Sequence, residues 1–308
     1  MTIIEDQKNL RRIVENAIRW FGFAPEHNLS WFLAYADHTQ EPVVVEWPDH
    51  SVELAYKSDN DWYTFSEPLA QLESRGQRVV ELVSYILKIY PNVEKVVTEA
   101  RENTKQQITE NLPKDLRIVD HVEDDKNNYV LTWPVMDMKK FDFALPGGHF
   151  KYLRNAKNKF YREHAVEMKS VKDVAKQDLI GVMERWVPIA KTREAELLHE
   201  EPYINLIKTG FSGLTTARAM IVDNQVVGFN AGWEIPNSDN FYAGVGIHDY
   251  SIQDLGLMLY FEDLEWIKNA GYSIVDMGGV GEGNPLKFKN QFQPDSWYKT
   301  YVFTIVRK

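Results

Sequence analysis

The sequence predicts a mixed α/β protein made of two successive halves, each organised around a mixed β-sheet. Three observations lead there. Short β-branched and aromatic runs alternate with amphipathic helical stretches late in each half. The pattern starts afresh after Trp133-Pro134. The chain has 308 residues, 44% of them hydrophobic and 13% aromatic, enough for two domains with a core each. The halves are placed at residues 1–133 and 134–308.

The first half opens with a helix over Glu5–Phe21, where Leu10, Ile13, Val14, Ala17 and Ile18 share one stripe. Strands are expected at Trp31–Tyr35, Val43–Glu46, Val52–Tyr56 and Trp62–Phe65. A long amphipathic helix over Leu69–Tyr90 stops at Pro91, because proline cannot continue the backbone ladder. Val93–Glu99 reads as a strand, Asn103–Asn111 as a helix, and Leu116–Val122 with Tyr129–Trp133 as a hairpin pair.

In the second half, Phe150–His164 reads as a basic helix and Ala165–Lys169 as a strand. Lys172–Glu196 is largely helical, with a bend at Pro188. Arg218–Val222 and Val226–Trp233 form a hairpin across Asp223-Asn224-Gln225, residues suited to a tight turn. Phe241–His248 is a strand, and Asp254–Ala270 a helix closed by Gly271. Tyr272–Met277, Leu286–Phe292 and Trp297–Val306 read as strand, short helix and last strand.

Composition narrows the function. The chain has no cysteine, which removes disulfides, thiolate metal sites and a cysteine nucleophile together. No H-E-x-x-H, G-x-S-x-G, P-loop or complete dinucleotide fingerprint occurs, and no metal site is expected. The charged N-terminus is unlike a secretory leader, and no apolar run is long enough to cross a bilayer, so a cytoplasmic protein without integral membrane contact is expected. Net charge is −10, which argues against coating DNA, yet residues 139–172 carry nine Lys and Arg against three Asp and Glu. That basic island leaves tRNA among the candidate partners.

Three stretches carry a family resemblance: WPVMDMKKFDFALPGGHFKYLRNAKNKFYREH (Trp133–His164), IVDMGG (Ile274–Gly279), and F-K-x-x-F in PLKFKNQF (Phe288, Lys289, Phe292). In these, and in the order of its elements, the second half resembles the GNAT acetyltransferase fold. It is more specifically similar to Fem-type peptidoglycan aminoacyltransferases and to the catalytic domain of phosphatidylglycerol lysyltransferases. Such relatives are often tandem GNAT-like pairs, which the resemblance implies here. The N-terminal half shows no catalytic motif and is expected to be structural or to shape the acceptor side.

The resemblance directs attention to Ser251-Ile-Gln253-Asp-Leu-Gly256-Leu-Met258, between a strand and a helix. GNAT enzymes bind the pyrophosphate of coenzyme A there through Q/R-x-x-G-x-G/A, using the unpaired N–H groups of a helix start. Gln253 and Gly256 match, whereas Met258 replaces the last small residue and is expected to crowd the approach. The competing reading is an ordinary helix start boxed by Ser251 and Asp254. On the basic helix, Arg154 and Lys157 share a face and could hold a phosphate; a solvated face is the alternative.

In Fem-type enzymes the lysine matching Lys289 is thought to stabilise negative charge at the reacting carbonyl; a surface lysine is the competitor. Glu234, Tyr242, His248 and Asp249 stand at strand ends and Tyr298 starts the last strand; of these His248 and Tyr298 are taken as acid–base candidates. Asp276 is expected to fix the turn at Gly278-Gly279, whose glycines permit close backbone approach. The function expected is acyl or aminoacyl transfer from acyl-coenzyme A or aminoacyl-tRNA, used as co-substrates, to a small-molecule or peptide acceptor or a lipid head group. A non-catalytic binding module on the same scaffold is the alternative.

Overall fold

A computed structural model describes residues 1–36, 40–58, 60–119, 129–194, 200–281 and 284–308. The chain divides into two compact units: residues 1–132 with 235–238 and 299–308, and residues 133–234 with 239–298.

The N-terminal unit contains β1 (Thr2–Ile4), α1 (Gln7–Phe21), α2 (Leu29–Tyr35), β2 (Glu41–Glu46), β3 (Val52–Lys57) and β4 (Asp61–Thr64). It continues with α3 (Arg75–Ile89), β5 (Lys95–Arg101), α4 (Glu102–Asn111) and β6 (Leu116–Ile118). The expected strand at Trp31–Tyr35 is helix α2. Asn28 Oδ1 accepts from the Trp31 N–H at 3.0 Å and caps it, while Trp31, Phe32 and Ala34 are buried. Its aromatic content suggests a strand, but the cap and the helical spacing of the apolar residues prevail. Helix α3 starts six residues later than expected, because Leu69 still exchanges backbone hydrogen bonds with Val52.

β2, β3 and β4 are successive antiparallel neighbours, with β1 outside β2. β4 and β5 pair in parallel over three residues, Asp61–Tyr63 with Lys95–Val97. The expected hairpin of residues 116–122 with 129–133 does not form: β6 pairs with Ile305–Arg307 near the end of the chain, and residues 120–122 lie outside the described residues. The strand that ends there lies antiparallel to β5 over seven residue pairs. Val83 and Ile86 of α3 pack with Val43, Val96, Phe303 and Ile305 in the core.

The C-terminal unit begins within β7 (Tyr129–Asp137), followed by α5 (Lys151–Glu163), β8 (Val166–Ser170), α6 (Lys176–Glu194) and α7 (Glu201–Thr209). Then come β9 (Thr216–Val222), β10 (Gln225–Glu234), β11 (Asn240–His248), α8 (Leu255–Asn269), β12 (Ile274–Asp276), α9 (Asn284–Asn290) and the start of β13 (Ser296–Arg307), whose residues from Lys299 on belong to the N-terminal unit. Helix α7, not anticipated from sequence, ends at Gly210 in the left-handed conformation. Gln225 pairs with Val222, so the β9–β10 turn is two residues long. Asp223 and Asn224 fill it at φ 50° and 67°, as a primed turn requires.

The sheet order is β7-β12-β11-β10-β9-β8. All neighbours are antiparallel except β11 and β12, which pair in parallel only over Asn240–Tyr242 and Ile274–Asp276. Beyond that point β11 runs on to His248, while the chain after β12 turns aside and the Met277 N–H bonds to the Pro134 carbonyl. The two strands therefore part and leave an opening along β11. One face of the sheet carries α5 and α8, whose Leu153, Phe160, Met258 and Leu264 join Met220, Phe241 and Ala243 in a core.

Candidate functional site

The opening between β11 and β12 collects most of the residues singled out by sequence. Asp276, the last residue of β12, is buried. Its Oδ1 accepts from the Gly278 N–H at 2.9 Å and its Oδ2 from the Tyr298 hydroxyl at 2.6 Å. The expected turn is thus formed, and the same carboxylate also orients Tyr298. Gly278 has φ +88°, a conformation that suits glycine. A side chain there would reach within 3.2 Å of Lys289 Nζ and 3.6 Å of the Tyr242 hydroxyl.

Lys289 Nζ donates to the Gly278 carbonyl at 2.7 Å. The F-K-x-x-F spacing explains how. Phe288 and Phe292 stand one turn apart and pack against Tyr260 of α8, with ring centroids 5.9 and 4.9 Å away. Anchored on that side, α9 directs Lys289 away from the core toward the strand opening. Around it lies an aromatic frame. Trp133 stacks on Tyr298 at 5.5 Å with 10° between planes and lies 6.1 Å from Tyr242, which packs edge-on to Trp233 at 4.8 Å. Trp133 also lies against Gly279, where a Cβ would come within 2.5 Å of its ring.

Lys289, Tyr298, Asp276, Gly278 and Gly279 are therefore brought together, and Tyr242 joins them. Trp133 and Tyr260 complete the group and were not singled out from sequence as site residues. The W-P pair at the head of the first resembling stretch was the available signal for Trp133.

His248 lies elsewhere. It is six residues along β11 from Tyr242, about 20 Å at roughly 3.3 Å per residue. Its ring sits over Gly256, within 2.6 Å of where a Cβ would stand, and edge-on to Tyr250. Gly256 thus makes room for His248. Met258 is fully buried in the core, so it does not crowd the helix start as expected. Gln253 is exposed in the preceding loop.

The box of Ser251 and Asp254 does not form: Asp254 has φ +61° and makes no side-chain cap. Asp249 shapes this loop instead, accepting from the Ser251 N–H at 2.8 Å and from Arg185 Nε at 2.6 Å. Burial opposes ionisation of Asp249, but the bonds from Ser251 and Arg185 outweigh it and hold the carboxyl below its ordinary range. Asp254 accepts from the Tyr152 hydroxyl at 3.0 Å. The start of α8 therefore carries two carboxylates.

On α5, Arg154 donates to the carbonyls of Leu145 and Gly147. Lys157 Nζ lies 3.4 Å from the Phe143 carbonyl and 4.0 Å over the Phe261 ring. Both cations expected to hold a phosphate are engaged with the loop that precedes their own helix. Lys151, Lys159 and Arg162 form the exposed basic face. Glu234 accepts from the Tyr272 hydroxyl at 2.6 Å; burial, helped by this carboxylate, pushes the phenol up to about 12.

No family model and no curated protein matches the sequence. Solved structures do. L-PGS from Bacillus licheniformis matches over 99% of this chain and 92% of its own, with TM-score 0.65 at 13% identity. FemX matches over 98% and 97%, with TM-score 0.60 at 10% identity. A tandem GNAT protein from the clavulanic acid biosynthesis pathway matches over 99% and 98%, with TM-score 0.55 at 10% identity. The fold is a tandem GNAT fold. Each unit contains one short parallel pair among otherwise antiparallel neighbours: β4 with β5 and β11 with β12.

Proposed function

We propose that the C-terminal unit transfers an activated acyl or aminoacyl group to an amine or hydroxyl by direct attack, without a covalent enzyme intermediate. The observation that carries this reading is the convergence of Lys289, Tyr242 and the Asp276–Tyr298 pair where β11 and β12 part. Lys289 is held by the Gly278 carbonyl before any substrate arrives. A cation fixed in that way favours an oxyanion over a ground-state carbonyl without reorganisation. Tyr298, oriented by Asp276, and Tyr242 offer hydroxyls to the leaving group or nucleophile. With no cysteine in the chain, a cysteine thioester is excluded.

The fold shared with L-PGS and FemX supports a transferase. Between the two donor classes, the Asp254 carboxylate at the start of α8, next to Asp249 whose charge is met by Arg185, opposes a pyrophosphate docked there and weakens the case for acyl-coenzyme A. Either donor would place the reaction in the cytoplasm.

Calorimetric titration of the purified chain with acetyl-coenzyme A, and separately with aminoacyl-tRNA at low and moderate salt, tests the reading. Salt-sensitive binding of charged tRNA, with transfer to an added amine that is lost in Lys289→Met, supports it. Coenzyme A binding that weakens on an acidic substitution at Gln253 would reassign the donor. Binding of a donor without turnover would make this a binding module.

A further inference from the structure

In the C-terminal unit, Asn230 Oδ1, Asp263 Oδ1, the Tyr260 hydroxyl and Arg218 Nε are buried without a hydrogen-bond partner. They are neighbours. Arg218 of β9 and Gly246 of β11 flank Asn230 of β10 in one cross-strand row. Asn230 Nδ2 donates to the Leu259 carbonyl at 3.4 Å and an Arg218 nitrogen to the Glu262 carbonyl at 2.6 Å. In a helix the Leu259 carbonyl faces the N–H of residue 263, so amide, guanidinium and Asp263 meet beneath α8. Tyr260 stands three residues before Asp263 on the same side of the helix, packed against Phe288 and Phe292 next to Lys289. Its hydroxyl lies within the electrostatic reach of both Asp263 and Asp276.

These polar groups thus extend from the back of the candidate site to Asp263. The cross-strand row also opens outward: Gly246 is exposed, and nothing lies within 4 Å of where its side chain would stand. Asn230 and Asp263 are each only 1% exposed. Buried polar atoms without a protein partner, beside an opening, are where ordered water is held.

We infer that Asp263 is the terminal acceptor of the proton lost by the attacking nucleophile, reached through water between Tyr260, Asn230 and the open edge at Gly246. The inference rests on the transfer reading above. As the C–N or C–O bond forms and the bond to the leaving group breaks, the leaving group departs with the electron pair and takes up one proton from the Tyr298 or Tyr242 hydroxyl, which solvent then reprotonates. The proton released by the nucleophile passes along the water to the Asp263 carboxylate, which later returns it to solvent. Burial raises the Asp263 carboxyl to about 7, with Arg218 pulling the other way. A group poised there both accepts and releases a proton at neutral pH. Arg218 from β9 and Tyr260 from α8 face it directly; Glu262 and Glu265 from α8 and Tyr161 from α5 lie around Arg218, and Asp276 of β12 lies beyond Tyr260.

Infrared difference spectra of the whole chain across pH, wild type against Asp263→Asn, read the carboxyl directly. A protonated-carboxyl band that is absent from the variant and titrates near neutrality is expected, with its midpoint raised in Arg218→Gln. Single-turnover transfer should rise with pH through the same midpoint. In Asp263→Asn it should fall about 100-fold and lose that dependence, with donor affinity unchanged. Tyr260→Phe should slow transfer while leaving the infrared band in place. An Asp263 band that does not titrate between acid and alkaline limits, or an unchanged pH–rate profile in Asp263→Asn, overturns the proton route and leaves the transfer reading standing. Failure of the wild type to bind either donor overturns both.

Discussion

Lys289 Nζ and the Gly278 carbonyl oxygen lie 2.7 Å apart, joining helix α9 to the loop that leaves β12. This bond fixes a positive charge beside a glycine whose missing side chain opens the space next to it. Lys289→Met removes the charge and keeps most of the stem. Transfer is expected to fall roughly 100- to 1,000-fold in kcat, with KM little changed, because the loss is confined to the transition state. Steady-state kinetics with the donor identified by calorimetry measures the split. A rise in KM with kcat unchanged would assign Lys289 to ground-state binding.

Tyr298→Phe tests the pair formed with Asp276. The buried carboxylate would lose its 2.6 Å hydroxyl donor and keep only the Gly278 N–H among the bonds described above. An unsatisfied buried acceptor costs about 1–3 kcal/mol, read as a lower denaturant midpoint. Asp276→Asn should act in the same direction, and the two effects should be non-additive in a double-mutant cycle.

Two glycines separate packing on a flexible ring from packing on a fixed one. Gly279→Ala would press a methyl group into Trp133, which is buried and stacked on Tyr298, and should cost about 1–3 kcal/mol. Gly256→Ala would meet the outer atoms of the half-buried His248 ring, which can swing aside, and should cost less than about 1 kcal/mol. Urea unfolding of both variants compares them; a reversed order would contradict the packing described.

His27 predicts how stability depends on pH. Its Nδ1 accepts from the N–H groups of Phe23 at 3.1 Å and Ala24 at 3.3 Å, so the proton sits on Nε2 and is donated to the Glu67 carbonyl at 3.0 Å. Burial lowers its pKa from 6.5 to about 3, with Arg75 and Arg101 adding to the effect and the Glu67 bond opposing it. Between those values the unfolded chain binds a proton that the folded chain does not. Stability therefore falls as pH drops below 6.5, by roughly 3 kcal/mol at pH 4. Thermal unfolding from pH 7 to 4 should show a shallower slope in His27→Gln than in the wild type.

Much of the C-terminal unit was legible because local signals and long-range pairing agree there. The turn at Asp223-Asn224, the phenylalanine spacing around Lys289 and the Asp276–Gly278 turn each impose their geometry within a few residues. What failed depended on distant partners. Nothing near Leu116 announces that its strand partner lies at residues 305–307, and nothing near His248 shows that its ring settles over Gly256. Trp31–Tyr35 looks extended until Asn28 is recognised as its cap. Asp263 sits in a Glu-Asp-Leu-Glu run that resembles a solvated helix face. Only the cross-sheet row of Arg218, Asn230 and Gly246 reveals that it faces inward.

The terminal segment that lies beside β5 and β6 has a consequence for biosynthesis. Residues 299–308 belong to the unit that begins at Met1, and they supply the strand that follows β5 in its sheet. A ribosome making this protein emits β1 through β6 long before that strand exists, so the first unit waits with β5 exposed along one edge. The unit synthesised first is thus the one completed last, and a chain stopped short of residue 299 would be expected to damage its beginning more than its middle.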